Sequence, residues 1–138
     1  PFEAINSCVD MGASITMAKG ASDAGLFPAV AVIGDSTFTH SGMTGLLDAV
    51  NEKSPITVII SDNESVSMTG GQESAALGHL EAICRGIGVA PEHIRVLNPV
   101  PKNHDELCQI LREELEYKGV SVIIPRRICI QKARRDKK

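Results

Sequence analysis

Asp35 and Asn63 are the side chains in this sequence best suited to carry chemistry. Each stands at the end of an apolar run: Asp35 follows Ala29-Val30-Ala31-Val32-Ile33-Gly34, and Asn63 follows Ile56-Thr57-Val58-Ile59-Ile60-Ser61-Asp62. A carboxylate and an amide oxygen are hard donors of the kind Mg²⁺ or Ca²⁺ takes, and the oxygens of a diphosphate can complete such a shell. If both runs are parallel strands of one sheet, the two side chains leave it at the same carboxyl edge, where open α/β sheets bind ligands. Taken alone, Gly34-Asp35-Ser36 also reads as a plain turn, with glycine supplying an unusual dihedral and the aspartate capping the next segment. Asn63 and the stretch beyond it, Ser65-Val66-Ser67-Met68-Thr69-Gly70-Gly71-Gln72, favour the ligand reading. Backbone amides in glycine-rich turns form anion nests, and a divalent cation neutralises what they hold.

The elements that must position these residues can be read from periodicity. Five apolar residues in a row at 29–33 predict a strand buried on both faces, and 56–61 predict the next. A helix is expected over 12–24, with Ile15, Ala18 and Lys19 or Ser22 on one face. A second is expected over 40–52, where Met43, Leu46, Leu47 and Val50 trace an apolar stripe. A polar, glycine-rich loop over 64–73 leads to a third helix from about Ala75, with Leu77, Leu80, Ile83, Cys84 and Ile87 on one face and Gly88 ending it. Ile94–Leu97 is a short strand. Asn103 is a fair N-cap for a helix carrying Leu107, Ile110, Leu111 and Leu115 and closed by Gly119, and 120–124 is a last strand. Strands alternating with helices over short connections predict an α/β fold, a parallel sheet sandwiched between helices.

Composition narrows the classes. At 138 residues the chain fits one domain that buries its own core. It has one Tyr, three Phe and no Trp, too few stacking rings for a reader of single-stranded nucleic acid. No apolar run is long enough to cross a membrane, so neither nucleic acid nor membrane is an expected partner. Cys8, Cys84, Cys108 and Cys129 are scattered without any C-x-x-C, which suits buried reduced thiols in a cytoplasmic protein. Neither a P-loop nor a G-x-G-x-x-G is present, which removes the commonest nucleotide sites. The last seven residues carry a charge of +4 within a net −3, a basic tail over 131–138 that reads as a solvated end or a linker rather than as a contact for nucleic acid or an anionic surface. The opening Pro1-Phe2-Glu3 is no natural domain start, so the chain is expected to be a piece of a longer subunit with its domain over 1–130.

Gly34-Asp35-Ser36, then 25 residues, then Asp62-Asn63 resembles the thiamine-diphosphate signature, usually written GDG and, some 25 residues on, NN. Gly34 to Gly42 (GDSTFTHSG) together with Met68-Thr69-Gly70-Gly71-Gln72 is similar to one branch, the alpha subunit of indolepyruvate:ferredoxin oxidoreductase. Met11-Gly12-Ala13-Ser14 and the closing Ser121 to Cys129 segment share that style. Ser36 for the last Gly and Asp62 for the first Asn are departures which that branch tends to show, whereas Gly71 stands where the branch often carries His and is closer to the pyruvate:ferredoxin relatives.

The resemblance implies roles. Asp35 and Asn63 would ligate Mg²⁺ by side chain and Ser65 by its backbone carbonyl. Gly34 and Ser36 would approach the diphosphate, Thr69 and Gly70 would close over it, and Gly12 would lie beside the cofactor. Met11 would sit under the bent cofactor, or else serve as a core methionine. His40 would face the anion, or else be a structural residue at a helix start. No residue here would be catalytic: the activating glutamate belongs to a separate pyrimidine-binding domain or second subunit, across a dimer interface. In the full enzyme a 2-oxo acid is oxidatively decarboxylated to acyl-CoA, with electrons leaving through iron–sulfur clusters outside this chain to ferredoxin. The isolated chain is expected to be inactive. Two alternatives share parts of the pattern, a non-oxidative thiamine-diphosphate-dependent 2-oxo acid decarboxylase and a non-catalytic Mg²⁺- or phosphate-binding α/β module.

Overall fold

A computed structural model describes residues 5–63, 65–66, 72–73 and 76–128, with backbone alone at 65–66 and 72–73. Four parallel strands form one sheet in the order β1 (Ala29–Gly34), β2 (Ile56–Ser61), β6 (Ser121–Pro125), β5 (Ile94–Leu97). Their β-branched content suits a pleated, covered surface. Ala29 pairs with Ile56 and Gly34 with Ser61, so the two apolar runs end level with each other. Thr57 pairs with Ser121 and Leu97 with Pro125, which brings all four carboxyl ends to one edge. The expected parallel sheet between helices is the fold observed.

One face carries the main core. Here α1 (Ser14–Asp23), α3 (Met43–Glu52) and α4 (Leu80–Ile87) lie over Ala31, Ile33, Val58, Ile60, Val122 and Ile124. Lys19, buried along its stem, donates to Asp23 Oδ2 and Glu52 Oε2 at 2.7 Å each, tying α1 to α3. The other face is covered by α5 (His104–Glu116) over β2 and β6. Glu114 on α5 is only 2 % exposed. His93 Nδ1 lies 2.9 Å from one of its carboxylate oxygens and Arg95 Nη1 3.4 Å from the other, so the buried charge is matched rather than orphaned. Thr57 Oγ1 donates to the Glu114 carbonyl at 3.0 Å, seating the helix on the sheet.

Several expectations are corrected. Strand β1 is not buried on both faces: Ala29, Ala31 and Ile33 face the core, while Val30 and Val32 point the other way, Val32 with 62 % exposure, and α5 packs chiefly on β2 and β6. The second helix starts earlier than position 40. Helical backbone runs from α2 (Asp35–Thr37) through a π turn (Phe38–Gly42) into α3, so the strand turns directly into a helix at Asp35. Leu47 falls on its solvent side; Gly45 and Ala49 take the buried face with Leu46. α4 begins at Leu80, leaving Leu77 exposed in the preceding turn, and Gly88 does end it, in the left-handed region at φ 110°. α5 stops at Glu116, three residues before Gly119, which is therefore not its cap; a Cβ at Gly119 would come within 2.6 Å of the Tyr117 ring. The 64–73 segment contains a two-residue antiparallel pairing, β3 (Ser65–Val66) with β4 (Gln72–Glu73), which its polarity concealed. Of the described thiols only Cys84 is buried; Cys8 is exposed and Cys108 intermediate. Burial, and then the charge of Glu81, push the Cys84 thiol up to about 12. No described helix is long and apolar enough to cross a membrane.

Candidate functional site

The carboxyl edge of the sheet gathers the residues that the spacing singled out. Asp35 is the first residue after β1, 2 % exposed, and its Oδ1 accepts the Ser36 backbone N–H at 2.7 Å. An aspartate accepting from the next amide is a local device that fixes its own rotamer at the start of a helix. Thr39 Oγ1 donates to the Ser36 carbonyl at 3.1 Å, and Ser41 Oγ to the Thr37 carbonyl at 3.3 Å, tying the π turn back to α2. Such single-turn π segments loosen the ladder and recur at functional sites. Phe38, fully buried, anchors the turn in the core.

Gly34 departs from the turn reading. Its φ of −79° and ψ of 152° are ordinary extended values, so no unusual dihedral calls for glycine. A Cβ built there meets no heavy atom within 4 Å. Neither strain nor the chain's own packing demands glycine, and the space beside this backbone is open to a group from outside.

Asn63 stands two residues beyond the end of β2, half-buried, next to Asp62, which is joined by a parallel bridge to Arg126. The register that pairs Gly34 with Ser61 therefore sets Asp35 and Asn63 just past the ends of adjacent strands, on one edge. The backbone of Ser65 follows in β3. Thr69 and Gly70 lie outside the described residues. A buried carboxylate and an amide, with a further backbone carbonyl in sequence, are an all-oxygen donor set, which fits Mg²⁺ rather than a softer ion.

Gly12 joins this region from the amino-terminal side. Its φ is +107°, and a Cβ would run into Ser41 Oγ and lie 3.9 Å from the Thr37 side chain, so the chain before α1 rests on the π turn. Met11 beside it is 71 % exposed, which removes the core-methionine alternative. His40 is exposed in the middle of the π turn, not at a helix start.

Sequence reasoning missed Arg126. Its Nε donates to Asp62 Oδ2 at 2.6 Å, and Nη1 and Nη2 donate to the two oxygens of Glu81 at 3.0 and 2.8 Å. Glu81 and Asp62 together raise the guanidinium's pKa, and Arg126 in turn holds the Glu81 carboxyl below its usual range. The only sequence signal was a charged residue directly after an apolar strand, at the same edge as Asp62.

Comparison with known proteins places this edge in context. Over residues 2–124 the chain matches the family described as thiamine pyrophosphate enzyme, C-terminal TPP binding domain. It is 34 % identical to the indolepyruvate oxidoreductase subunit IorA of Archaeoglobus fulgidus and 33 % identical to that of Methanothermobacter marburgensis. Each alignment covers 94 % of this chain and 22 % of the relative, so the chain spans about a fifth of the length of these curated relatives. Among solved structures, benzoylformate decarboxylase from Polynucleobacter necessarius superposes with a TM-score of 0.63 at 22 % identity, over 84 % of this chain and 23 % of that one. That likeness speaks to the fold alone. Because the family match runs through both strand-end motifs and nearly the whole chain, this protein belongs to the thiamine pyrophosphate enzymes, as their C-terminal TPP-binding domain.

Proposed function

We propose that this chain forms the diphosphate- and Mg²⁺-binding half of a thiamine-diphosphate site in an indolepyruvate-type 2-oxo acid:ferredoxin oxidoreductase. The observation that carries the reading is the meeting of Asp35 and Asn63 at one sheet edge beside the open backbone of Gly34. Asp35 and Asn63 would hold Mg²⁺ by side chain and Ser65 by its carbonyl. Gly34 and Ser36 would lie along the diphosphate. The helical run that starts at Asp35 places its amino-terminal, electropositive end at the same edge, which favours an anion there. Gly12 and the exposed Met11, supported on the π turn, would border the cofactor's ring end; His40, Thr69 and Gly70 complete the proposed contacts.

When bound, thiamine diphosphate supplies the electron sink for decarboxylating a 2-oxo acid. In this reading the residues of this chain bind and orient, and the proton on the ring is moved by a group from outside it. The activating glutamate would come from a pyrimidine-binding domain or a second subunit, and the iron–sulfur clusters, CoA and ferredoxin would be met elsewhere in a larger cytoplasmic enzyme. The domain would occupy 1–130, with 131–138 as a basic tail. The likeness to IorA subunits supports the oxidative branch over a non-oxidative decarboxylase.

Calorimetric titration with thiamine diphosphate, with and without Mg²⁺, tests the site. Binding is expected only with Mg²⁺, and Asp35→Ala and Asn63→Ala are each expected to weaken it by roughly tenfold or more, the loss of a charged or ligating contact. Binding that ignores the metal, or survives both substitutions, would refute the ligand assignment.

A further inference from the structure

The segment that carries Asn63 leaves the sheet at Asp62 and returns to the helical layer at Glu81, and one side chain from a third element grips both ends. Arg126, at the carboxyl end of β6, directs Nε to Asp62 and its two terminal nitrogens to Glu81 in a two-pronged fork. We propose that Arg126 is a positioning residue: it fastens both ends of the 62–81 segment to β6 and thereby fixes Asn63 at the sheet edge. What Asn63 is fixed for rests on the cofactor reading above.

The backbone reinforces the grip. The Asp62 N–H donates to the Pro125 carbonyl at 3.0 Å, and the Arg127 N–H donates to the Asp62 carbonyl at 2.9 Å. Asp62 thus extends the parallel ladder by one bridge, and Asn63 is the first residue beyond it. Asp62 is 3 % exposed, and a carboxylate so buried needs a matched charge. Arg126 supplies it, which also keeps the Asp62 carboxylate engaged with a guanidinium while its neighbour presents an amide at the edge. A planar fork that contacts two carboxylates at once fixes geometry as well as charge, which a lysine does not reproduce. The contact to Asp62 spans 64 positions of sequence and that to Glu81 spans 45, so one side chain from a distant strand holds both ends of the 62–81 segment.

The test is amide exchange followed by NMR on the 138-residue chain, in wild type, Arg126→Gln, Arg126→Lys and the milder Glu81→Gln. A merely structural arginine would lower global stability and speed exchange at Asp62, Asn63, Val58 and Ile60 by one common factor. Positioning predicts an excess at Asp62 and Asn63 over Val58 and Ile60 of about tenfold in Arg126→Gln, with Lys and Glu81→Gln intermediate, as expected for losing charged hydrogen bonds. Equal factors at all four amides, or no change at 62 and 63, would overturn the proposal. Mg²⁺-dependent cofactor affinity, measured on the same samples, is expected to fall in step with the excess. A selective excess in a protein whose wild type shows no Mg²⁺-dependent binding would uphold the fastening and remove the cofactor reading alone.

Discussion

At Gly34 the backbone is extended and an added Cβ would meet nothing, whereas at Gly12 the φ of +107° and the approach of Ser41 both demand glycine. The two residues therefore separate binding from stability. Gly34→Ala is expected to leave the unfolding free energy within about 0.5 kcal/mol of wild type, as for a substitution without strain or lost contacts. It should nonetheless weaken Mg²⁺-dependent thiamine diphosphate binding, because the methyl occupies the open space beside the backbone. Gly12→Ala is expected to cost on the order of 1 kcal/mol or more, since positive φ strains alanine whatever the packing. Calorimetry and urea denaturation on the same pair of variants check both. From the sequence, glycine at 34 read either as a dihedral requirement or, through the resemblance, as a close approach to a diphosphate; its extended backbone and open surroundings remove the dihedral reading.

The strand-to-helix junctions were legible to differing degrees. Apolar runs and a capable N-terminal aspartate marked β1, β2 and the place of Asp35, since those depend on local composition. The early onset of the helix at Asp35 was not legible, because Ser36, Thr37 and Thr39 carry weak helix propensity and it is the burial of Phe38 and the bonds of Thr39 and Ser41 that hold them in place. Arg126 was hidden for another reason: a contact across 64 residues leaves no local pattern. Its partner Glu81 gives a pH signature. The folded carboxyl titrates below its ordinary value of 4.5 because Arg126 donates to it, so its contribution to stability is whole above that value and is lost as pH falls through the depressed folded one. Between about pH 6 and about pH 3 the stability gap between wild type and Glu81→Gln should therefore shrink, which urea titrations across that range would measure.

Across the whole molecule the sheet is unequally clothed. Among the described residues three helices cover one face and α5 alone covers the other, and Val30 and Val32 on edge strand β1 are left exposed. The sequence could not reveal this, because a continuous apolar run reads the same whether one or both faces are covered. Solvent-facing valines side by side on a strand form a small apolar patch that binds hydrophobic dyes. Replacing both by threonine, which keeps the β-branched shape, should lower 8-anilinonaphthalene-1-sulfonate fluorescence while shifting stability by less than about 1 kcal/mol.

The strand order also dictates when the protein can finish itself. β2 lies between β1 and β6, yet β6 is the last of the four sheet strands to be synthesised, so the inner edge of β2 waits for a partner through the making of α4, β5 and α5. Asp62, and with it the edge that carries Asn63, cannot be locked by Arg126 until the chain has emerged that far. Distant pairings of this kind form late and slowly in folding. A nascent chain halted before β6 would hold its first helices and strands but an unfixed site, and would offer an open strand edge to chaperones and proteases.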